Sequence, residues 1–481
     1  MRKKTKTLLF VGLAGIAFIN FYLYNDHQRL FSKTPEPSRA YSVLVKDVGL
    51  PRYIRFESEA NRNLSDPIVN KMLKKIVDDG MIEYAIPGYF WPVSMAKLTR
   101  MLGALARHEA TRLEWFRWEK TEPKNGTDFP AWKRVHWNIR QFSYYDPDDP
   151  AVARLMHNLA TLPVVKAEEK NGGTQFKMAL EFEDGGQAIV KFMRLPREID
   201  EDENRYVFDV IERHVAEIAS FQLDKVLGFY RMPPTIGRKF NITSELLPHV
   251  EKDFRKTFYR SPAGNLCFFG TCEPRHYCNT AHPFCGSPDV IEASVMAFFP
   301  DRKYADRISL KQPWKRSYQR NRKADWELND FKCISVKKTP PYNNGKLLLD
   351  LIDVHTFDFL TGNKDRHNIA MFREWGNYTF PLSYDNGRGF GRQDYDALSI
   401  LAPLRQCCHI RHSTFLKYLK LYLGPETLSS IMEQALADDP VAPVLLPGHL
   451  RALDRRLVTI LRTVANCIEK NGVSVIVKDK F

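Results

Sequence analysis

Cysteine is missing from the first 266 residues of this 481-residue chain, and all eight cysteines lie between Cys267 and Cys467. Any disulfide framework is therefore confined to the second half, and the even count suits four bridges in an oxidising compartment. Cys267, Cys272, Cys278 and Cys285 are spaced C-x4-C-x5-C-x6-C, with His276 and His282 among them. They lack the tight pairs that zinc ligands prefer, so disulfides are favoured over a metal knuckle. Internal repeats are also lacking, which excludes a repeat array. With 44% hydrophobic and 27% charged residues, the chain has ordinary globular composition, and disorder is excluded.

One long uncharged run stands out, LLFVGLAGIAFINFYLY at 8–24, behind Arg2, Lys3, Lys4 and Lys6. At ~1.5 Å per residue it nearly crosses a hydrocarbon core of ~30 Å. No small-x-small cleavage site follows; the next residues are Asn25, Asp26, His27 and Gln28. An uncleaved signal anchor is favoured over a cleaved signal peptide. The basic tail 1–6 then stays cytoplasmic, 7–24 spans the membrane, and the remainder is lumenal. Four Asn-x-Ser/Thr sequons, at Asn63, Asn125, Asn241 and Asn377, agree with a lumenal chain. The net charge of +14 would ordinarily suggest nucleic acid, which this topology excludes. Acidic peptides, phosphate groups or polyanionic glycans are the partners expected instead.

Residues 25–64 are polar and hold Pro35, Pro37 and Pro51, as a stem would. Helical spacing of apolar residues predicts helices within 65–120, and Pro147 and Pro150 mark a boundary near 144. From 170 the pattern alternates, turns at Asp184-Gly185-Gly186 and alternates again, which predicts a β-hairpin. The stretch 207–228 reads as one amphipathic helix closed by Gly228. EASVMAFFP at 292–300 reads as a buried strand running into a linker, and beyond 345 the apolar periodicity predicts helices. The coarse expectation is an α+β chain with a β-rich lobe at 145–300, an α-rich lobe at 301–481 and a helical extension at 65–144 before them.

Across these lobes the chemistry-bearing residues fall in a suggestive order. A turn of Asn171-Gly172-Gly173-Thr174 lets backbone approach a phosphate. Lys177 and Lys191 follow on the hairpin, then Glu212, then Asp365 in TGNKDRHN and Asp385 in YDNGRGFG. Lysine, acid, then two aspartates about twenty residues apart is the order of phosphoryl-transfer machinery. Taken singly, the lysine reads as a solvated face and the aspartates as turn residues. The usual glycine fingerprint and the His-Arg-Asp and Asp-Phe-Gly strings are absent.

The strings NGGTQFK (171–177), IERHVAEIASFQLDKVLGF (211–229), FDFLTGNKDRH (357–367), DNGRGFGRQDYDALSILAPLRQCC (385–408) and HLRALDRRL (449–457) resemble the secretory-pathway kinases of the "family with sequence similarity 20" group. The likeness runs from about 145 to 475, and DNGRGFG is closer to the family's Golgi casein kinase than to its xylose kinase, which has DNAKSFG. The resemblance implies a two-lobed atypical kinase that transfers the γ-phosphoryl of ATP, with Mn2+ or Mg2+, to serine in Ser-x-Glu sequences of secreted acidic proteins. It implies residence on the lumenal side of the Golgi membrane, with the endoplasmic reticulum or release after cleavage as further locations. A homodimer, or a heterodimer with a family pseudokinase, is the implied assembly. A xylose kinase and a catalytically weak scaffold are the alternatives.

Residue by residue, the resemblance implies Asp365 as the catalytic base, Asp385 as a metal ligand, and Glu212 as the helix acid that reaches the metal or the lysine. Lys191 would touch the phosphates, Gln175 and Lys177 would belong to the nucleotide-covering hairpin, and Met296, Ala297, Phe298 and Phe299 would form the hinge. It implies the disulfides Cys267–Cys285, Cys272–Cys278, Cys333–Cys407 and Cys408–Cys467. Three positions depart from the family pattern: Ala370 replaces a Glu expected near the nucleotide, Leu195 a Gln and Val215 an Asn. Asn368 offers a substitute polar group. The basic stretch KQPWKRSYQRNRK (311–323) is either a receiver of acidic peptides or a solvated face.

Overall fold

The computed structural model describes residues 66–78, 129–173, 175–202, 206–271 and 278–478. The apolar run 8–24, the stem, most of the segment 65–144, Asn63, Asn125 and Cys272 lie outside the described residues. Among the described residues, no helix is long and apolar enough to cross a membrane.

The described part of the helical segment opens with α1 (Pro67–Asp78), followed by α2 (Ala131–Trp137) and α3 (Pro150–Thr161). Asp149 caps α3 by accepting from the Ala151 N–H, and Pro150 occupies its first turn, so the start of this helix is written into the sequence. A sheet follows, made of β1 (Val164–Glu169), β2 (Met178–Phe182), β3 (Gln187–Phe192) and β4 (Thr235–Asn241). After a small sheet of β5 (Tyr259–Arg260), β6 (Leu266–Phe268) and β7 (Phe284–Cys285), strand β8 (Val290–Ala297) completes the main sheet in the order β1-β2-β3-β8-β4.

The β2–β3 hairpin pairs Met178 with Val190 and Glu181 with Gln187, and Gly185 in its turn has φ 73°. Strand parity divides the sheet. Ala188, Val190 and Phe192 are buried on one face, where Phe192 meets Phe240, Phe268 and Phe284 at 5.2–6.1 Å between ring centres. Gln187, Ile189 and Lys191 point to the other face, toward the helical half. A disulfide joins Cys267 to Cys285 across the β6–β7 pair.

Helix α4 (His214–Val226) follows β3 and packs on the sheet. The single long helix expected over 207–228 is shorter: Val207–Asp209 form one 3-10 turn, 210–213 lie outside any helix with Val210 and Arg213 extended, and the α-helix begins at His214. The physical reason lies in a hydrogen-bond exchange. Gln175 takes both backbone partners of this stretch, donating to Val210 O at 2.8 Å and accepting from the Glu212 N–H at 2.9 Å. Glu212 therefore sits ahead of the helix and not on it.

The second half carries α5 (Leu347–Thr361), α6 (Ala402–Cys407), α7 (His412–Leu423), α8 (Leu428–Ala435) and α9 (Pro447–Asn471). It also holds an antiparallel pair absent from the sequence reading, β9 (Arg307–Lys311) with β10 (Asn368–Phe372). Helix α5 is buried on all sides, 13 of its 15 residues being inaccessible, so its acids must find partners indoors. Asp350 accepts from Arg411 at 2.6 Å, Arg231 at 3.0 Å and Lys346 at 3.3 Å, and Asp353 from Arg411 at 2.9 Å and Thr414 at 2.7 Å. Disulfides join Cys333 to Cys407 and Cys408 to Cys467. Cys278 is disulfide-bonded as well. Helix α1 lies on α9, with Lys71 2.8 Å from Glu469 and Arg462 bonded to Asp66.

Candidate active site

Helix α5 ends where Gly362, at φ 77°, reverses the chain, and the loop TGNKDRHN begins there. Asn363 Oδ1 accepts from the Asp365 N–H at 3.0 Å, and Gln312, buried beside β9, donates to Arg366 O at 2.6 Å. Arg366 is the tie to the second aspartate string. It donates to both oxygens of Asp358 at 2.8 and 2.9 Å and to Tyr384 O at 2.6 Å, and it also reaches Asn386. A return tie runs from Arg388, in DNGRGFG, to the Asp365 carboxylate. The two strings are thus cross-linked by an arginine from each. His367 donates to Asp365 O at 2.7 Å and lies 3.4 Å from its carboxylate, which raises the imidazole pKa.

Across from this loop, Lys191 Nζ is surrounded by three carboxylates: Glu217 at 2.6 Å, Asp385 at 2.7 Å and Glu212 at 2.8 Å. Asp385 adopts φ 61°, a left-handed conformation uncommon outside glycine. Its side chain is 48% accessible and faces open space. Lys191, with help from Lys177, holds its pKa well below the usual carboxylate range. Glu212 behaves oppositely, because burial outweighs its attraction to Lys191 and raises its pKa. Lys191 stays charged, since its carboxylates overcome the penalty of burial.

Glu217, in the first turn of α4, is the helix acid that reaches Lys191, a role the sequence reading left to Glu212. Its Oε1 also accepts from the Asn386 N–H at 3.0 Å. Spacing alone does not separate two acids five residues apart; the early break in the helix does. Arg366 and Arg388 carry no sequence signal beyond their place in the two aspartate strings, and Gln312 none beyond its place in the basic stretch 311–323. Gly387 has a geometric reason to be glycine, because a Cβ there would lie 2.9 Å from Glu212 Cβ. The Arg213 N–H donates to Gly387 O at 2.7 Å, so this loop and the Glu212 segment lie in direct contact.

The other expected residues are placed as follows. Gln175 is buried and occupied by the Val210–Glu212 backbone. Lys177 is half-buried beside Gly173. Met296 and Ala297 are buried in β8, while Phe298 lines a cavity of about 250 Å3 with Lys170, Asn171, Glu168 and Gln187. Gln187 shares a sheet face with Lys191, so the cavity opens on the lysine's side. Phe298 O accepts from His136 Nε2 at 2.8 Å; burial lowers that imidazole pKa to about 4, so it is neutral. Phe299 packs edge-on against Tyr144 and Tyr384. Ala370 is buried in β10, Asn368 is exposed at its start, Leu195 is half-buried and Val215 is buried in α4. Asn241 caps the turn after β4 by accepting from the Ser244 N–H at 3.0 Å.

Three carboxylates facing one lysine leave an excess of negative charge, and Glu217 Oε2 is buried with no hydrogen-bond partner. A divalent cation fits that imbalance. Among the described residues no group of three or more His, Cys, Asp or Glu side chains is arranged to hold one unaided. The site therefore suits a metal that arrives with phosphate oxygens of its own.

A strand-borne lysine paired with a helix glutamate, set above two aspartates on a helical lobe, is the arrangement of a phosphotransferase of the kinase class. Residues 130–476 match the family described as "Golgi casein kinase, C-terminal, Fam20", and the chain belongs to that family. It is 44% identical over 352 residues to the extracellular serine/threonine protein kinase FAM20C of Homo sapiens, covering 73% of this chain and 60% of that protein. A Drosophila melanogaster relative, extracellular serine/threonine protein CG31145, is 45% identical and is covered over 64% of its length. The chain thus spans under two thirds of these relatives. A solved structure of the Golgi casein kinase superposes with a TM-score of 0.74 at 36% identity, covering 84% of this chain and 91% of that one. Another, of the Golgi casein kinase with Mn/ADP bound, gives 0.71 at 37% identity, covering 82% and 94%. The family also includes the pseudokinase FAM20A of Mus musculus and the glycosaminoglycan xylosylkinase of Homo sapiens, 40% and 38% identical to this chain.

Proposed function

We propose that this chain is a lumenal protein serine/threonine kinase that moves the γ-phosphoryl group of ATP to serine in Ser-x-Glu sequences of secreted acidic proteins. The observation that carries the reading is the junction of Lys191 with Glu212, Glu217 and Asp385, set against an Asp365 held by Arg388. Lys191 binds phosphate oxygens, and Glu217 fixes its direction. Glu212 and Asp385 would hold Mn2+ or Mg2+, which would supply neutralisation of charge on the phosphates. Asp365 orients the serine hydroxyl and accepts its proton, while Arg388 and His367 keep the carboxylate in place. Lys177 lies along the phosphate path, and Gln175 supports it from behind by holding the Glu212 segment. The cavity beside Phe298 receives the base, with Met296, Ala297 and Phe299 as its strand and linker.

The run 7–24 anchors the chain in the Golgi membrane with the catalytic part in the lumen, behind a stem at 25–64, a helical extension at 65–144 and lobes that divide near 300. Asn63, Asn125, Asn241 and Asn377 are its glycan acceptors. Pairing with a second copy or with a family pseudokinase is the assembly this reading favours. The intact Lys191, Glu212, Asp365 and Asp385 set argues for turnover and against a scaffold.

Casein and a xylosyl linkage glycan offered together to the full chain, with labelled ATP and Mn2+, test the acceptor class. Label is expected on casein serine. Label on the glycan alone would transfer the same machinery to a xylose hydroxyl and overturn the protein-kinase reading.

A further inference from the structure

The basic stretch 311–323 carries more than charge, because Trp314 and Tyr318 are interleaved in it. Trp314 is buried and anchors the stretch, its backbone N–H bonded to Gln312 Oε1 and its ring nitrogen to Gln406 Oε1, both at 2.7 Å. Beyond that anchor the stretch meets residues 206–209, which lie between β3 and α4. Three contacts join the two segments in order. Tyr206 Oη donates to Ser317 O at 2.7 Å, the Phe208 ring stacks on Tyr318 with centres 4.2 Å apart, and Asp209 pairs with Arg320. Arg320 also lies over the Tyr206 ring at 5.4 Å.

Both rings of the stack lead inward to Asp365. Phe208 meets Arg388 twice: its carbonyl accepts from the guanidinium at 3.3 Å, and its ring centre lies 5.9 Å from it. Tyr318 meets the His367 ring edge-on at 5.8 Å. Arg388 and His367 in turn flank the Asp365 carboxylate. Arg388 bonds to Oδ2, while Oδ1 lies 3.4 Å from His367 Nδ1 and accepts no hydrogen bond among the described residues. One oxygen is held and the other is left for a proton, and the groups that set their direction rest on the stack. Tyr318 is 55% exposed, so the ring adds little to the core and its place beside the base calls for another reason.

We propose that Phe208 and Tyr318 are positioning residues, a clasp between the segment ahead of α4 and the basic stretch that aims the Asp365 carboxylate through Arg388 and His367. This rests on the protein-kinase reading of the site. Stacked rings prefer defined offsets and a cation prefers the face of a ring, so these contacts fix direction more than they add stability. Direction is what the chemistry needs, since misplacing a reacting group by about 1 Å costs on the order of 100-fold in rate. The aromatic residues of the basic stretch thus act on the base itself.

The test is steady-state transfer from ATP to casein by the full chain with Mn2+, in Tyr318→Leu, Phe208→Leu, the pair, and Tyr318→Phe as the conservative control. The kcat is expected to fall about 10-fold or more in each leucine variant, with the KM for ATP held within about twofold. The pair should be no worse than the worse single variant, because the two rings act as one unit. Tyr318→Phe keeps the ring and should keep the rate, and the melting temperatures should hold within about 2 °C. Folded leucine variants at the wild-type kcat would overturn the clasp while leaving the kinase reading intact. A loss in Tyr318→Phe equal to that in Tyr318→Leu would assign the effect to the hydroxyl and overturn it too. If the wild-type chain does not phosphorylate casein, the kinase reading fails. The clasp is then decided by NMR titration of the His367 ring, assigned with His367→Gln. Contact with Asp365 raises its pKa, and in Phe208→Leu the midpoint should fall toward the ordinary value; an unchanged midpoint overturns the clasp.

Discussion

At the scale of single residues, the site is governed by how many acids share Lys191. A lysine facing one carboxylate makes a neutral pair; facing Glu212, Glu217 and Asp385 it leaves a net negative cluster, which on the proposed function a nucleotide-bound cation would complete. Glu217 also takes the Asn386 N–H, so one carboxylate oxygen sets both the lysine and the start of DNGRGFG. Glu217→Gln weakens the anchor on Lys191 without removing a proposed metal ligand. Its KM for ATP should rise by about 10-fold or more, with a smaller change in the Mn2+ concentration for half activity. A larger effect on metal than on nucleotide would assign Glu217 to the metal instead. Lys191, Asp365 and Asp385 were legible from residue type and order. Glu217 was not, because hydrophobic periodicity runs smoothly through 207–228 and gives no sign that Gln175 interrupts the helix there.

At the scale of elements, the sequence pattern located the hairpin to within its turn, since Asp184-Gly185-Gly186 is a local signal and alternation is strict on both sides. Helix α5 was equally plain as an apolar run. What periodicity did not convey is its complete burial, or the β9–β10 pair beside the Asp365 loop, whose partners lie about sixty residues apart in sequence. Burial makes the α5 acids consequential. Arg411 pairs with both Asp350 and Asp353, more closely than Arg231 does, and its removal leaves two buried carboxylates short of a cation. Arg411→Met should lower stability by about 3–5 kcal/mol, read as a shift in the urea midpoint. A shift under about 1 kcal/mol would mean that Arg231 and Lys346 suffice.

At the scale of the whole molecule, burial keeps several histidines neutral, and this links stability to pH. His136 and His449 have pKa values lowered to about 4 and His355 to about 3, against about 6.5 unfolded. Between those values the unfolded chain binds more protons than the native one, so their contribution is present above pH ~6.5 and lost as pH falls below it. Asp224, raised to about 7 by burial, acts in the opposite sense between about 4 and 7. Three groups outweigh one, so the melting temperature should fall from pH 7 to pH 5; a rise would show that Asp224 or other acids dominate.

The central claim, that Asp365 and Asp385 act together on one phosphoryl group, is tested most directly by Mn2+-dependent transfer from ATP to casein in the wild-type chain, Asp365→Ala and Asp385→Asn. The account predicts that both variants lose transfer by about 1,000-fold or more, with Asp365→Ala still stabilised by Mn2+ and ATP in a thermal shift and Asp385→Asn no longer stabilised. Transfer at the wild-type rate in either variant would contradict it.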